Sequence, residues 1–140
     1  MRQLNRFHQP HRLVNHSVRL TAPNGSIRLT EGHVPALPGY DDGAWWVQDA
    51  AASLPARLMG DIAGKRVADI CAAPGGKTAQ LCAAGADVTA IDVSANRLER
   101  LNENMARLGF SPQIVVADAT RWRPDTKFDA IMIDAPCSAT

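Results

Sequence analysis

From Arg66 onward, apolar residues fall into short continuous runs separated by segments of helical spacing. The runs at 67–70, 88–91, 114–117 and 130–133 have the length and the Val/Ile content of strands buried on both faces. Between the first two lie a Pro-Gly-Gly turn and an Ala-rich stretch that predicts a short helix over 77–84. Between the second and third, Ser94 offers an N-cap, and Leu98, Leu101, Met105 and Leu108 recur on one helical face. Gly109 then supplies the stop. Strand–helix alternation of this kind predicts an α/β domain with a parallel sheet. Upstream, 48–59 reads as a helix that Pro55 either bends or begins. Residues 1–40 are less regular, but Asn24-Gly25 between the apolar runs 18–20 and 27–29 predicts a small hairpin.

Composition narrows the class. The chain has 140 residues, 46% hydrophobic and 21% charged, which excludes a wholly disordered or fibrous chain and allows one core. No apolar run reaches membrane-spanning length and no secretory signal is evident, so the expected setting is cytoplasmic, with no membrane partner. Cys71, Cys82 and Cys137 lack metal-ligand spacing, as do His8, His11, His16 and His33; reduced thiols and no metal site are expected. The net charge of +1 hides an asymmetry. Residues 1–30 hold five arginines and no acid, and the rest of the chain carries −4. An anionic partner near the N-terminus follows.

Three of the runs are followed by an acid or end in one: Asp92, Asp118 and Asp134. Ligands of open parallel sheets sit at this edge, although Asp also serves there as a turn or capping residue. The turn Asp69-Ile-Cys-Ala-Ala-Pro-Gly-Gly-Lys-Thr78 leads from the first strand to a helix N-terminus, where free amides and the helix dipole accept an anion. Two chemistries could use it. One is a P-loop of a nucleotide hydrolase, ending in Gly76-Lys77-Thr78; its first glycine, however, would have to be Cys71, and Pro74 removes an amide. The other is S-adenosylmethionine, its carboxylate at the glycine turn and its ribose on Asp92, sixteen residues after Gly76. A third acid, Asp118, would lie by the adenine.

Val47-Gln-Asp-Ala-Ala-Ala-Ser53, the turn 69–78 and Asp134-Ala-Pro-Cys-Ser-Ala-Thr140 together resemble, in order and spacing, the RsmB/Sun/Nop family of RNA cytosine-5 methyltransferases. The resemblance covers roughly residues 27–140, and Ala139 is similar to the bacterial ribosomal-RNA branch. It implies a Rossmann-like class I methyltransferase fold with S-adenosylmethionine as cofactor and RNA, ribosomal by branch, as partner. Cys71, Ala72, Ala73, Pro74, Gly75, Gly76 and Lys77 would bind the methionine part, Asp92 the ribose and Asp118 the adenine edge; Asp134 would lie near the transferable methyl and the target base. Cys137 would be the Pro-Cys cysteine associated with product release. In the family the thiolate that adds to cytosine carbon 6 belongs to a later Thr-Cys-Ser motif, and Thr140 precedes it. The expectation is therefore a fragment of the domain, truncated after its fourth strand and inactive alone.

The division expected is a basic arm over 1–40, part of an RNA-binding region, followed by the cofactor-binding part over 41–140. Residues 1–26 do not match the family clearly, so a divergent start and an Arg-rich transit segment are further readings. A catalytically silent RNA-binding module stays open as a third class of function. Trp45 and Trp46 either stack on a base or pack the following helix onto the sheet.

Overall fold

Four parallel strands in the order β7-β6-β5-β8 make the sheet that carries the site: β5 (Arg66–Ile70), β6 (Asp87–Asp92), β7 (Gln113–Val116) and β8 (Ala130–Ile133). The computed structural model describes residues 2–6, 18–21, 27–29 and 34–136. Val67, Ala68 and Asp69 of the central strand β5 are fully buried, which explains why these strands read as continuous apolar runs. From β5 the chain passes to β6 on one side, and β8 returns to pair on the other, Val67 opposite Ala130. The point between β5 and β8 where the winding changes direction is where a crevice opens at the carboxyl ends of such strands.

The helix α2 (Gly76–Ala83) follows β5, and α3 (Ala95–Leu108) follows β6. In α3 the expected signals all operate. The Ser94 hydroxyl accepts from Arg97 N at 3.4 Å, Leu98, Leu101, Met105 and Leu108 are buried, and Gly109 closes the helix at φ 75°. That stripe packs with Ala79 of α2, Ala90 of β6 and Trp46. A second cluster joins Val67, Leu81, Val88 and Met132 to Ala56 and Ile62. Along β8, Met132 and the partly buried Ala130 turn to this core; Ile131 and Ile133 lie on the opposite face, 57% and 65% exposed.

An antiparallel sheet of order β2-β3-β1-β4 precedes this unit: β1 (Arg2–Arg6), β2 (Val18–Thr21), β3 (Ile27–Leu29) and β4 (Trp45–Asp49). The expected pairing of 18–20 with 27–29 is present, Val18 opposite Leu29, while its Asn24-Gly25 turn lies outside the described residues. The four histidines and the segment 137–140 also lie outside them. One expectation needs correction. Gln48 does not begin a helix: 45–49 is strand, paired with β1 from Arg6↔Trp45 to Arg2↔Asp49, and a 3-10 turn at Ala51–Ser53 separates it from the short helix α1 (Leu54–Leu58). Pro55 sits in the first turn of α1, where its missing N–H has no helical partner to lose. Residues 2–6 form a strand that polar-rich Arg-Gln-Leu-Asn-Arg did not announce, because its order comes from pairing with β4 and β3. Both tryptophans are buried, Trp46 against α2 and α3 and Trp45 against Val34, Leu37, Tyr40 and Val47, so packing rather than base stacking occupies them.

Candidate functional site

The turn from β5 to α2 is built to expose backbone. Cys71 takes a left-handed φ of 62° directly after the strand, and Gly75 takes φ 101° as the N-cap residue of α2. A Cβ at Gly75 would lie 2.9 Å from Leu101 Cγ and 3.2 Å from Met105 Cε, so glycine is required both for the dihedral and for the close approach of α3. The Asn104 side-chain amide donates to Pro74 O at 3.2 Å and pins the turn from the α3 side. No side chain caps α2, so its first amides are left to face the crevice with the positive end of the helix dipole.

A cleft of about 440 Å³ opens here. Its walls are the turn 71–77, residues 46–49 of β4, and Asn104, Met105 and Leu108 of α3, with Asp69 and Asp134 among its polar groups. Lys77 Nζ donates to Asp134 Oδ2 at 2.6 Å, bridging the start of α2 to the residue after β8 across the switch point. Asp69 is fully buried. Its Oδ2 accepts from Thr78 Oγ1 at 2.7 Å, while its Oδ1 has no hydrogen-bond partner among the described residues. Burial pushes this carboxyl up to about 6, against the lowering effects of the Thr78 hydrogen bond and the Lys77 charge. A carboxyl perturbed mainly by desolvation at the wall of a cleft is the kind of group that functional sites collect. Burial also raises the Cys71 thiol, helped by the charge of Asp92, so the turn holds a thiol and not a thiolate nucleophile.

The structure brings 71–77, Lys77 and Asp134 together around the cleft but keeps Asp92 and Asp118 out of its lining. Asp92, 2% exposed, sits behind the turn. Its Oδ1 accepts from Ser94 N at 2.9 Å and from Arg97 Nη2 at 2.7 Å, and its Oδ2 receives only a long contact from Ala73 N at 3.4 Å. Asp118 is half exposed and closes its own turn, accepting from Thr120 Oγ1 at 2.7 Å and Thr120 N at 2.9 Å; the hydroxyl bond, then the amide bond, lower its carboxyl. Cys137 lies outside the described residues. Three cleft residues carried no signal in the sequence, Asn104, Tyr40 and Arg107, and Gln48 appeared there only as part of the motif 47–53 with no role of its own. The Arg107 guanidinium lies 4.0 Å over the Tyr40 ring and donates to Tyr40 O at 2.6 Å, tying the 34–45 segment to α3. Asp69 did leave a signal, as the one charged residue inside a buried apolar run.

Among the described residues no group of His, Cys, Asp and Glu could hold a metal ion, and no helix is long and apolar enough to cross a membrane. Residues 58–140 match the family model described as 16S rRNA methyltransferase RsmB/F. The chain belongs to this family. Its curated relatives include ribosomal RNA small subunit methyltransferase B of Cronobacter sakazakii, 42% identical over 129 residues, and that of Pseudomonas syringae pv. tomato, 44% identical over 123 residues. These alignments take in 89% and 84% of this chain, which spans only 28% of the length of either relative. Among solved structures, NSun6 from Pyrococcus horikoshii, solved with SFG, is 31% identical with a TM-score of 0.69, covering 80% of this chain and 32% of its own. A protein-L-isoaspartate O-methyltransferase superposes with a TM-score of 0.54 over 67% of this chain and 32% of its own; at 24% identity it shows the fold alone. The parallel sheet and its helices are thus the Rossmann-like fold of S-adenosylmethionine-dependent methyltransferases.

Proposed function

We propose that the chain is the S-adenosylmethionine-binding part of an RNA cytosine-5 methyltransferase acting on ribosomal RNA in the cytoplasm. The observation that carries the reading is the uncapped N-terminus of α2 beside the Gly75 turn, opening into a cleft at the switch point of a sheet of this family. The residues fit the cofactor's chemistry. The amides at 76–78 suit a carboxylate, and the buried Oδ1 of Asp69, without a hydrogen-bond partner among the described residues, sets a negative pole behind the cleft wall that suits a cationic ligand. Asp92 Oδ2, with its single long contact, keeps lone pairs for a ribose hydroxyl, while Arg97 and Ser94 fix the carboxylate through the other oxygen. Asp118 would meet the adenine edge, and Lys77 holds Asp134 at the mouth where the target base would enter. When bound, the cofactor supplies an electrophilic methyl group. Cys137 is assigned to product release. The apolar wall of Met105, Leu108 and Trp46 excludes water from the methionine side.

In the same reading 41–140 is the cofactor-binding part and 1–40 the RNA-facing arm, its five arginines meeting phosphates. Ultraviolet crosslinking of methyl-tritiated S-adenosylmethionine to the full chain, with peptide mapping, tests the cofactor site. Label in peptides holding 71–77 or Asp134 is expected; label confined elsewhere contradicts it. RNA affinity should fall steeply as salt rises, and a flat response removes the arm from the interface.

A further inference from the structure

The segment 47–53, one of the three motifs that carry the family pattern, contains a side chain with an unusually complete set of partners. Gln48 is 7% exposed on β4. Its Oε1 accepts from Trp46 Nε1 at 3.2 Å, and its Nε2 donates to Ala52 O at 3.1 Å and to Gln80 Oε1 at 2.8 Å. Flipping the amide would set donor against donor at Trp46 and oxygen against oxygen at Ala52 and Gln80, so its orientation is fixed by chemistry. Gln80 is fixed in turn, because its own Nε2 donates to Ser53 O at 3.0 Å. The 3-10 turn that presents these carbonyls is itself closed by Ser53 Oγ to Ala50 O at 2.7 Å and by Ala51 N to Asp49 Oδ1 at 2.8 Å.

Gln80 lies one helical turn from Gly76, on the same face of α2. There the stem of Gln48 abuts the helix start: an ideal Cβ on Gly76 would lie 3.5 Å from Gln48 Cγ, and its nearest neighbours all belong to Gln48. The strand β4 therefore holds the first two turns of α2 at two points, a hydrogen bond at Gln80 and a contact at Gly76. On its other side Gln48 is in register with Gln3 of β1.

We infer that Gln48 is a positioning residue for the anion-accepting N-terminus of α2, and that 47–53 is the strut locking the antiparallel sheet to the cofactor turn. This rests on the cofactor reading above only in taking the methionine carboxylate as the anion. Gln48 acts through the placement of the amides at 76–78, so its effect falls on the carboxylate of the ligand and not on its adenosine.

The test is calorimetric titration of the full chain and its Gln48→Ala variant with two probes. S-adenosylhomocysteine has the carboxylate; 5′-methylthioadenosine keeps the adenosine and lacks it. Gln48→Ala should weaken S-adenosylhomocysteine about fivefold, the scale of one misplaced helix-terminus contact, and leave 5′-methylthioadenosine within about twofold. Gln80→Met, which cuts the strut at a residue outside the cleft lining, should show the same selectivity and decides the matter if Gln48→Ala does not fold. Equal weakening of both probes, or unchanged affinity for both, overturns the inference. Amide exchange of Ala79, whose N–H donates to Gly75 O at 2.8 Å and so closes the first turn of α2, separates the two levels in the unliganded chain. Faster exchange in both variants supports the strut even if the unaltered chain binds neither probe, a result that would overturn the cofactor reading alone; unchanged exchange overturns the strut.

Discussion

Replacing Asp69 by asparagine removes an ionisable group from a fully buried position of β5. The Oδ2 partner survives, since the amide oxygen can still accept from Thr78 Oγ1. What changes is the proton linkage. Burial raises the carboxyl from 3.8 to about 6, so the folded chain holds a proton there that the unfolded chain has already lost. The stability that protonation contributes is complete below 3.8 and is lost as pH rises through about 6. A shift of roughly two pH units is worth about 3 kcal/mol at neutral pH, and the asparagine variant escapes it. Against this stands the new amide NH₂ at the unpartnered Oδ1 position, which costs about 1–3 kcal/mol at every pH. Relative to the unaltered chain, Asp69→Asn should therefore be less stable by about 1–3 kcal/mol near pH 4 and equal or somewhat more stable near pH 7. Urea unfolding followed by circular dichroism at several pH values measures the difference, and carboxylates common to both proteins cancel. A difference that stays constant from about pH 4 to about pH 7, or one that moves against the variant as pH rises, would refute the reasoning.

Gly75→Ala should destabilise the chain by about 2 kcal/mol or more, because the Cβ meets Leu101 and the dihedral is left-handed, whereas Gly76→Ala should be neutral or stabilising by up to about 1 kcal/mol; equal melting shifts for the two would contradict the account. Leu101→Ala, in the fully buried stripe of α3, should cost about 3 kcal/mol in urea unfolding, and a loss under about 1 kcal/mol would mean that the stripe is not core. Ile133→Lys, on the open face of β8, should leave the melting midpoint nearly unchanged, within about 0.5 kcal/mol of stability; a large drop would place that face in the core. Cys82, pushed up to about 12 by burial, should resist alkylation at pH 8 in the folded chain and react on unfolding, and rapid labelling of the native state would contradict its packing.

The parallel sheet was legible because its information is local. β5 and β6, buried on both faces, leave continuous apolar runs, and α3 carries its period, its Ser94 cap and its Gly109 stop within one stretch of chain. The turn and the strand-end acids were legible for the same reason: Pro74, Gly75 and Gly76 and the positions of Asp92, Asp118 and Asp134 are set by strand ends. The partners of those acids were not. Asp92 is taken up by Arg97 from the next helix, and Asp118 closes on Thr120, so both stand outside the cleft lining although both stand at the expected edge. Strand β4 was hidden because Gln48, Ala52, Pro55 and Met59 happen to follow helical spacing, and its strand identity comes from pairing with β1, some forty residues away. Asp69 shows the opposite case: its position inside an apolar run was visible, but only the packing reveals that its Oδ1 has no hydrogen-bond partner among the described residues.

In the proposed reading, the cleft at the β5–β8 switch point takes S-adenosylmethionine and not a magnesium-bound nucleotide. Calorimetric titration of the full chain with S-adenosylhomocysteine in chelator, beside ATP with magnesium and with Asp92→Ala as control, tests it most directly. The account predicts S-adenosylhomocysteine binding without magnesium, weakened in the variant, and no ATP binding. Magnesium-dependent ATP binding by a folded chain that ignores S-adenosylhomocysteine would contradict it.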